Sequence, residues 1–236
     1  MIRMIRTGLI ITAIAVIGMA SINFWAIGGL PEGNIPVHWG ADGTPDRYAD
    51  RSEAVFTLWM IPVITLFSAS ILALAPLLEP LKDNLYKSRT AYTVIWSSVM
   101  LLMLAVQAGI AYMMVQSAST NVDGNEFVRF IMAAAAIMFI IKGNYLPKTR
   151  QNWFLGIRTP WTLSSASVWE KTHRLAGRLF VLTGFINLIA AFVLDGVWLV
   201  FAFVGCVLAA ALISVAYSYI AWRSATDKAI SPEYVV

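Results

Sequence analysis

Six apolar runs, each long enough to cross a bilayer, constrain this chain more than any motif does. They cover residues 7–28, 54–78, 92–116, 127–146, 175–194 and 197–222. A hydrocarbon core about 30 Å thick needs roughly 20 apolar residues per helix, and a soluble core needs no such series. Hydrophobic residues make up 59% of the chain, charged residues only 13%, and mean hydropathy is +0.72. A soluble domain carries about 25% charged residues. The runs show no alternation of period two, so helices are expected rather than barrel strands. The fold class expected is an all-α integral membrane protein with six transmembrane helices. The first run follows Arg3 and Arg6 and exceeds the length of a signal-peptide core, so it reads as a signal anchor.

Lysine and arginine placement gives an orientation. Of 17 basic residues, only Arg47, Arg51 and Arg129 fall on one side of the expected topology, and the other 14 share the opposite side. The basic side is expected to be cytoplasmic, which puts both termini inside a bacterial cytoplasmic membrane. The net charge of +4 needs no nucleic acid as partner, because this rule and anionic membrane lipids account for it. Cys206 is alone and lies within the sixth run, so neither a disulfide framework nor a thiolate metal site is expected.

Function is sought in the two long loops, since loops on a rigid scaffold carry it. Loops 79–91, 117–126 and 195–196 are short. The loop 29–53, expected to be external, holds Pro31, Pro36 and Pro45 with Gly29, Gly33, Gly40 and Gly43. That density of fixed and permissive backbone predicts a built turn structure. Residues 35–39 read as strand-like, and Asp42-Gly43 reads as a turn. Five acids against two bases make its face negative. Asp42, Asp46 and Asp50 are spaced by four and interrupted by Pro45, which does not fit a calcium loop, so no metal site is expected. The loop 142–176, expected to be cytoplasmic, carries Trp153, Trp161 and Trp169 among Lys148, Arg150, Arg158, Lys171 and Arg174. Two readings stand for it: anchoring at the headgroup level, or specific recognition. Ser167-Val168-Trp169-Glu170 fits a capping box and predicts a helix start there.

Other features narrow the choice of function. His38 and His173 fall on opposite faces and cannot form a catalytic pair. No carboxylate lies near the middle of a run, which weighs against a coupled transporter. Asn23, Gln107 and Asn187 read as interhelical hydrogen-bonding residues. No phosphate loop, dinucleotide fingerprint or metalloprotease motif occurs, so neither an enzyme nor a cofactor is expected. The two long loops also share an order of residues. Leu30-Pro31, Trp39, Gly43 and Thr44-Pro45 correspond to Leu146-Pro147, Trp153, Gly156 and Thr159-Pro160, at offsets of 113 to 116 residues. Halves 1–126 and 127–236, with three runs each, are the domains expected, and a 3+3 inverted repeat is the hypothesis they raise.

The stretch Gly143-Asn144-Tyr145-Leu146-Pro147-Lys148, with Asn152-Trp153-Phe154-Leu155-Gly156-Ile157-Arg158-Thr159-Pro160-Trp161-Thr162-Leu163, resembles the signature of the SdpI family. Val168-Trp169, Thr172-His173-Arg174 and Gly177-Arg178 continue the likeness. Ile35-Pro36-Val37-His38-Trp39-Gly40, Asp42-Gly43 and Asp46-Arg47-Tyr48 are similar to the external module that precedes it in such proteins. The resemblance implies a membrane immunity protein acting against a secreted, membrane-active peptide toxin. A second partner that it implies is a small transcriptional repressor held on the cytoplasmic side. On this reading Pro36, His38, Trp39, Gly43 and Arg47 face the toxin. Asn144, Pro147, Asn152, Trp153, Gly156, Arg158, Thr159, Pro160, Trp161, Trp169, Thr172, His173, Arg174 and Arg178 form the cytoplasmic signature. A small transporter or channel is the alternative, recognisable by a mid-bilayer cavity lined by Asn23, Gln107 or Asn187.

Overall fold

The computed structural model describes residues 2–117 and 124–228. Most of the expected short loop 117–126 lies outside them. Among the described residues, six helices are long and apolar enough to span a membrane. They are α1 (Ile2–Gly29), α2 (Arg51–Leu78), α4 (Arg89–Gln116), α5 (Gly124–Tyr145), α7 (Ala166–Val193) and α8 (Gly196–Arg223). Two short helices, α3 (Lys82–Lys87) and α6 (Pro160–Leu163), lie between spans, and β1 (Ile35–Trp39) pairs with β2 (Pro45–Ala49) between α1 and α2. A helix of 28 residues is about 42 Å long, so its ends project beyond a hydrocarbon core of about 30 Å.

The helices extend past the expected runs, most of all at α7. It starts at Ala166, nine residues before the apolar run and close to the helix start expected at 167–170, so Trp169, Thr172, His173 and Arg174 are helical. The expected capping box is displaced. Ser165, not Ser167, is the N-cap, with its hydroxyl accepting from the Val168 N–H, while Glu170 instead pairs with Arg174. A capping box does form at α6, where Thr159 and Thr162 exchange side-chain and backbone bonds and Pro160 takes the first helical position.

α2 contains Pro62 and Pro76, and each removes the N–H that would have bonded the carbonyl four residues earlier. Both freed carbonyls are satisfied from neighbouring helices. The Asn23 amide of α1 donates to the Leu58 carbonyl at 2.9 Å. The Tyr92 hydroxyl of α4 donates to the Leu72 carbonyl at 2.6 Å. Gln107 of α4 donates in turn to Asn23 Oδ1. Backbone groups in hydrocarbon must find partners, so these bonds fix how α1, α2 and α4 pack. Thr12 continues the α1–α4 seam by accepting from Trp96 Nε1 at 3.0 Å.

The second half packs by close backbone approach instead. A Cβ on Gly177 would lie 2.7 Å from the Gly143 carbonyl, and one on Gly184 would lie 2.7 Å from the Ala136 carbonyl. Glycine at these positions lets α5 and α7 meet as small residues do in membranes. α8 packs on α7, and α4 on α5 joins the halves.

The strand-like reading of 35–39 and the turn at Asp42-Gly43 match the hairpin. Ile35 and Val37 are buried in a cluster with Ala26, Leu30, Leu58, Ala111 and Met114, which seats β1 on α1, α2 and α4.

Replacing Asn23 by Ala is expected to cost about 1 kcal/mol of stability, within the range for interhelical bonds in membranes. In a Pro62→Ala background, Leu58 regains an intrahelical donor, and the same change is expected to cost less. Thermal unfolding of the four proteins of this cycle in detergent measures the difference.

Candidate functional site

Two structured regions close the opposite ends of the bundle. At the hairpin end, Gly43 adopts φ +79° and its backbone meets the start of α5 so closely that a Cβ on Gly43 would lie 2.4 Å from the Gly124 carbonyl carbon. Only glycine accepts both the conformation and the contact. Trp39 packs on Phe127 of α5, ring centroids 5.5 Å apart. Pro36 is buried opposite Tyr48. His38 lies exposed, its Nδ1 2.6 Å from Asp46 Oδ1, and Arg47 is exposed across from it. Arg51 donates to the Ile27 and Leu30 carbonyls at the end of α1, at 2.6 and 2.9 Å. In the turn, the Thr44 N–H and hydroxyl hold the Asp42 carboxyl below its usual range. Arg129 pairs with Asp195 beside the hairpin.

At the other end, the segment between α5 and α7 folds inward. A 3-10 turn, Leu146–Lys148, sets Pro147 against Gly177. Asn152 is fully buried and organises the turn that follows. Its Oδ1 accepts the Phe154 and Leu155 N–H groups at 3.0 and 2.7 Å, and its Nδ2 donates to the Arg150 and Leu155 carbonyls. Arg158 donates to the Trp153 carbonyl at 2.6 Å. Thr159 meets Ser218 of α8 at 3.1 Å, and the Trp161 ring packs on Tyr219 at 5.1 Å.

Trp169 and His173 form the floor. Their rings stack at 4.0 Å and 19°, and Trp169 Nε1 donates to the Thr149 carbonyl at 3.1 Å. His173 Nδ1 lies 2.8 Å from the Trp169 carbonyl, and Nε2 accepts the Ile157 N–H at 2.9 Å, which fixes the tautomer with its proton on Nδ1. Gly156 arches over this ring at φ +122°, where a Cβ would lie 2.2 Å from His173 Nε2. Of the three tryptophans, which the sequence leaves as headgroup anchors or recognition residues, Trp169 is core, while Trp153 stays half-exposed. Thr172 is buried beside the floor, Arg174 is engaged by Glu170, and Asn144 and Arg178 remain exposed.

Sequence reasoning missed the residues that lock this segment in place. Glu79, at the end of α2, is buried. It accepts the Trp153 N–H on one carboxylate oxygen and the Leu81 N–H on the other, each at 2.9 Å. Ser88 accepts the Arg150 N–H at 2.8 Å, and Leu155 packs on the cluster of Met4, Leu85, Tyr92 and Trp96. An acid between two prolines on the basic side was the available signal for Glu79. Asp227, beyond α8, accepts from both the Ser165 and Ser167 hydroxyls and from the Ser167 N–H, at 2.6 to 2.9 Å. Nothing in the sequence marked that contact.

The geometry shows a hydrogen-bonded signature segment built by the second half and docked on the first. The family model described as the SdpI/YfhL protein family matches residues 148–218, which include most of this segment. This part of the chain is thus similar to the SdpI family. A second model, Domain of unknown function (DUF1648), matches residues 14–66 and so contains the hairpin. The chain is 27% identical over 190 residues to "Immunity protein SdpI" of Bacillus subtilis (strain 168), covering 80% of this chain and 84% of that protein. No solved structure matches. With six candidate spans among the described residues, this chain is a multi-pass membrane protein.

Glu79→Ala removes the buried carboxylate that accepts two N–H groups and is expected to loosen the signature segment by about 2 kcal/mol, with Glu79→Gln intermediate. Tryptic cleavage after Arg150 and Arg158 measures it, wild type being cut slowest. The three donors to Asp227 hold its carboxyl well below the usual carboxylate range. A depressed folded value leaves that contribution complete above the ordinary pKa and lost only as pH falls through the lower one. Hydrogen exchange at residues 224–228, normalised to the intrinsic rate, is expected to stay constant from pH 8 to 5 and to rise in Asp227→Ala.

Proposed function

We propose that this chain is a membrane immunity protein that protects its cell from a secreted, membrane-active peptide toxin. The hairpin end faces outward and the signature segment faces the cytoplasm. The similarity to the immunity protein carries the reading. The 14-to-3 split of basic residues supports the orientation, because the hairpin end holds only Arg47, Arg51 and Arg129.

The hairpin suits capture of an arriving peptide. β1 is held by apolar burial, so β2 presents Asp46, Arg47 and Tyr48 on a fixed base. Preorganisation of this kind lowers the entropic cost of binding. Because Trp39 ties the hairpin to α5, its contribution is to position the surface rather than to contact the toxin. The signature segment, docked through Glu79 and Ser88, is the inward surface through which the protein would sense toxin and hold a small repressor. Signalling of that kind requires the toxin to bind one of two arrangements of the bundle more tightly. The transporter alternative loses two of its three expected lining residues. Asn23 and Gln107 are fully buried and engaged in satisfying α2.

Expression in a toxin-sensitive bacterium, with membrane potential read after toxin addition, tests the proposal. Wild type is expected to preserve the potential, and Arg47→Ala with Tyr48→Ala at equal expression to reduce protection. Loss of potential with the wild-type protein present rejects the immunity role. Full protection by the double variant removes the hairpin surface from it.

A further inference from the structure

The face of α7 turned away from the bundle changes character along its length. Lys171, Arg174, Arg178, Leu182 and Phe185 follow one another at helical spacing, and all are exposed. Three cations thus give way to an apolar stripe. Lys171 and Arg174 lie before the apolar run and reach the headgroup level. Arg178 lies three residues inside that run, about 5 Å below its start. Arg174 has Glu170 as its counter-ion, whereas Arg178 has no hydrogen-bond or ion-pair partner among the described residues. An unpaired guanidinium on a lipid-facing surface is costly unless an anion meets it.

The structure supplies a place for that anion. Arg178 lines a groove of about 370 Å³ between α5 and α7. Gly143, Pro147 and Gly177 line it where the two helices come into close backbone contact. Asn144, also without a side-chain partner among the described residues, stands on the α5 wall. Val181, Leu182 and Phe185 continue the groove toward the middle of α7. A cation and an amide at the mouth, with an apolar track leading inward, match a phosphate headgroup and its acyl chain.

We propose that this groove holds one anionic phospholipid, with its phosphate on Arg178 and Asn144 and an acyl chain along Val181, Leu182 and Phe185. The lipid completes the pairing of Arg178 and packs against the α5–α7 crossing on which the signature segment rests. The site is independent of the immunity role and stands whether or not a toxin is bound.

Native mass spectrometry of the full chain, exchanged into phosphatidylglycerol or phosphatidylcholine, tests it. Wild type is expected to retain phosphatidylglycerol about fivefold over phosphatidylcholine, the effect of roughly one basic residue near an anionic surface. Arg178→Gln is expected to bring that ratio close to one, and Arg174→Gln to leave it unchanged. Val181→Phe fills the track without touching a charge and is expected to lower retention of phosphatidylglycerol, which keeps the test intact if Arg178→Gln fails to fold. The proposal is overturned by a wild-type ratio near one, by equal loss in Arg174→Gln, or by full retention in Val181→Phe. It is also overturned if inorganic phosphate raises the unfolding temperature as much as phosphatidylglycerol does, since the site would then take an anion without a lipid.

Discussion

Two carbonyl oxygens of α2 govern the packing of the first half. Proline at 62 and 76 leaves Leu58 and Leu72 without their usual donors inside an apolar medium. The repair comes from Asn23 on one helix and Tyr92 on another, so the defect in one span becomes the bond that orders three. The tyrosine also packs in the cluster with Trp96, Met4 and Leu85, on which Leu155 of the signature segment lies. Helix repair and placement of the signature segment are therefore parts of one construction.

The second half reaches a comparable result by subtraction. Where the first half adds polar side chains between helices, α5 and α7 remove side chains and let backbones touch. Gly156 extends this economy of atoms to the signature segment by leaving room for the His173 ring beneath it. His173 and Trp169 act as a hydrogen-bonded pedestal, with both ring nitrogens of the histidine occupied by backbone groups. Neither residue is free to do acid–base work in this arrangement.

Much of this was legible in the sequence, for identifiable reasons. The six spans follow from apolar length, and the hairpin from strand-like residues around Asp42-Gly43, because both signals are local. The start of α7 is marked to within a few residues by the capping pattern at 167–170, whereas hydropathy alone marks only the apolar run that begins at residue 175. From the sequence Trp169 reads either as a headgroup anchor or as a recognition residue, since no local pattern shows that its indole is enclosed by the turn it supports. Glu79, Ser88 and Asp227 stayed hidden because their partners lie 60 to 74 residues away, and no local pattern encodes such a distance. Asn23 and Gln107 were recognised as interhelical residues, but that they serve a proline four positions beyond a carbonyl emerged only from the packing.

The hairpin has a consequence for mechanics. It belongs to the first half of the chain, yet its turn abuts Gly124, and its Asp42 lies beside Gly196 at the joint between α7 and α8. At the far end, the signature segment belongs to the second half and is fastened to the first through Glu79 and Ser88. Each half thus reaches across to grip the other, at opposite ends of the same set of helices. Two beams pinned to each other at both ends cannot splay at one end alone. A push on the hairpin would travel as a tilt of whole helices and arrive at the other face as a displacement of the pins.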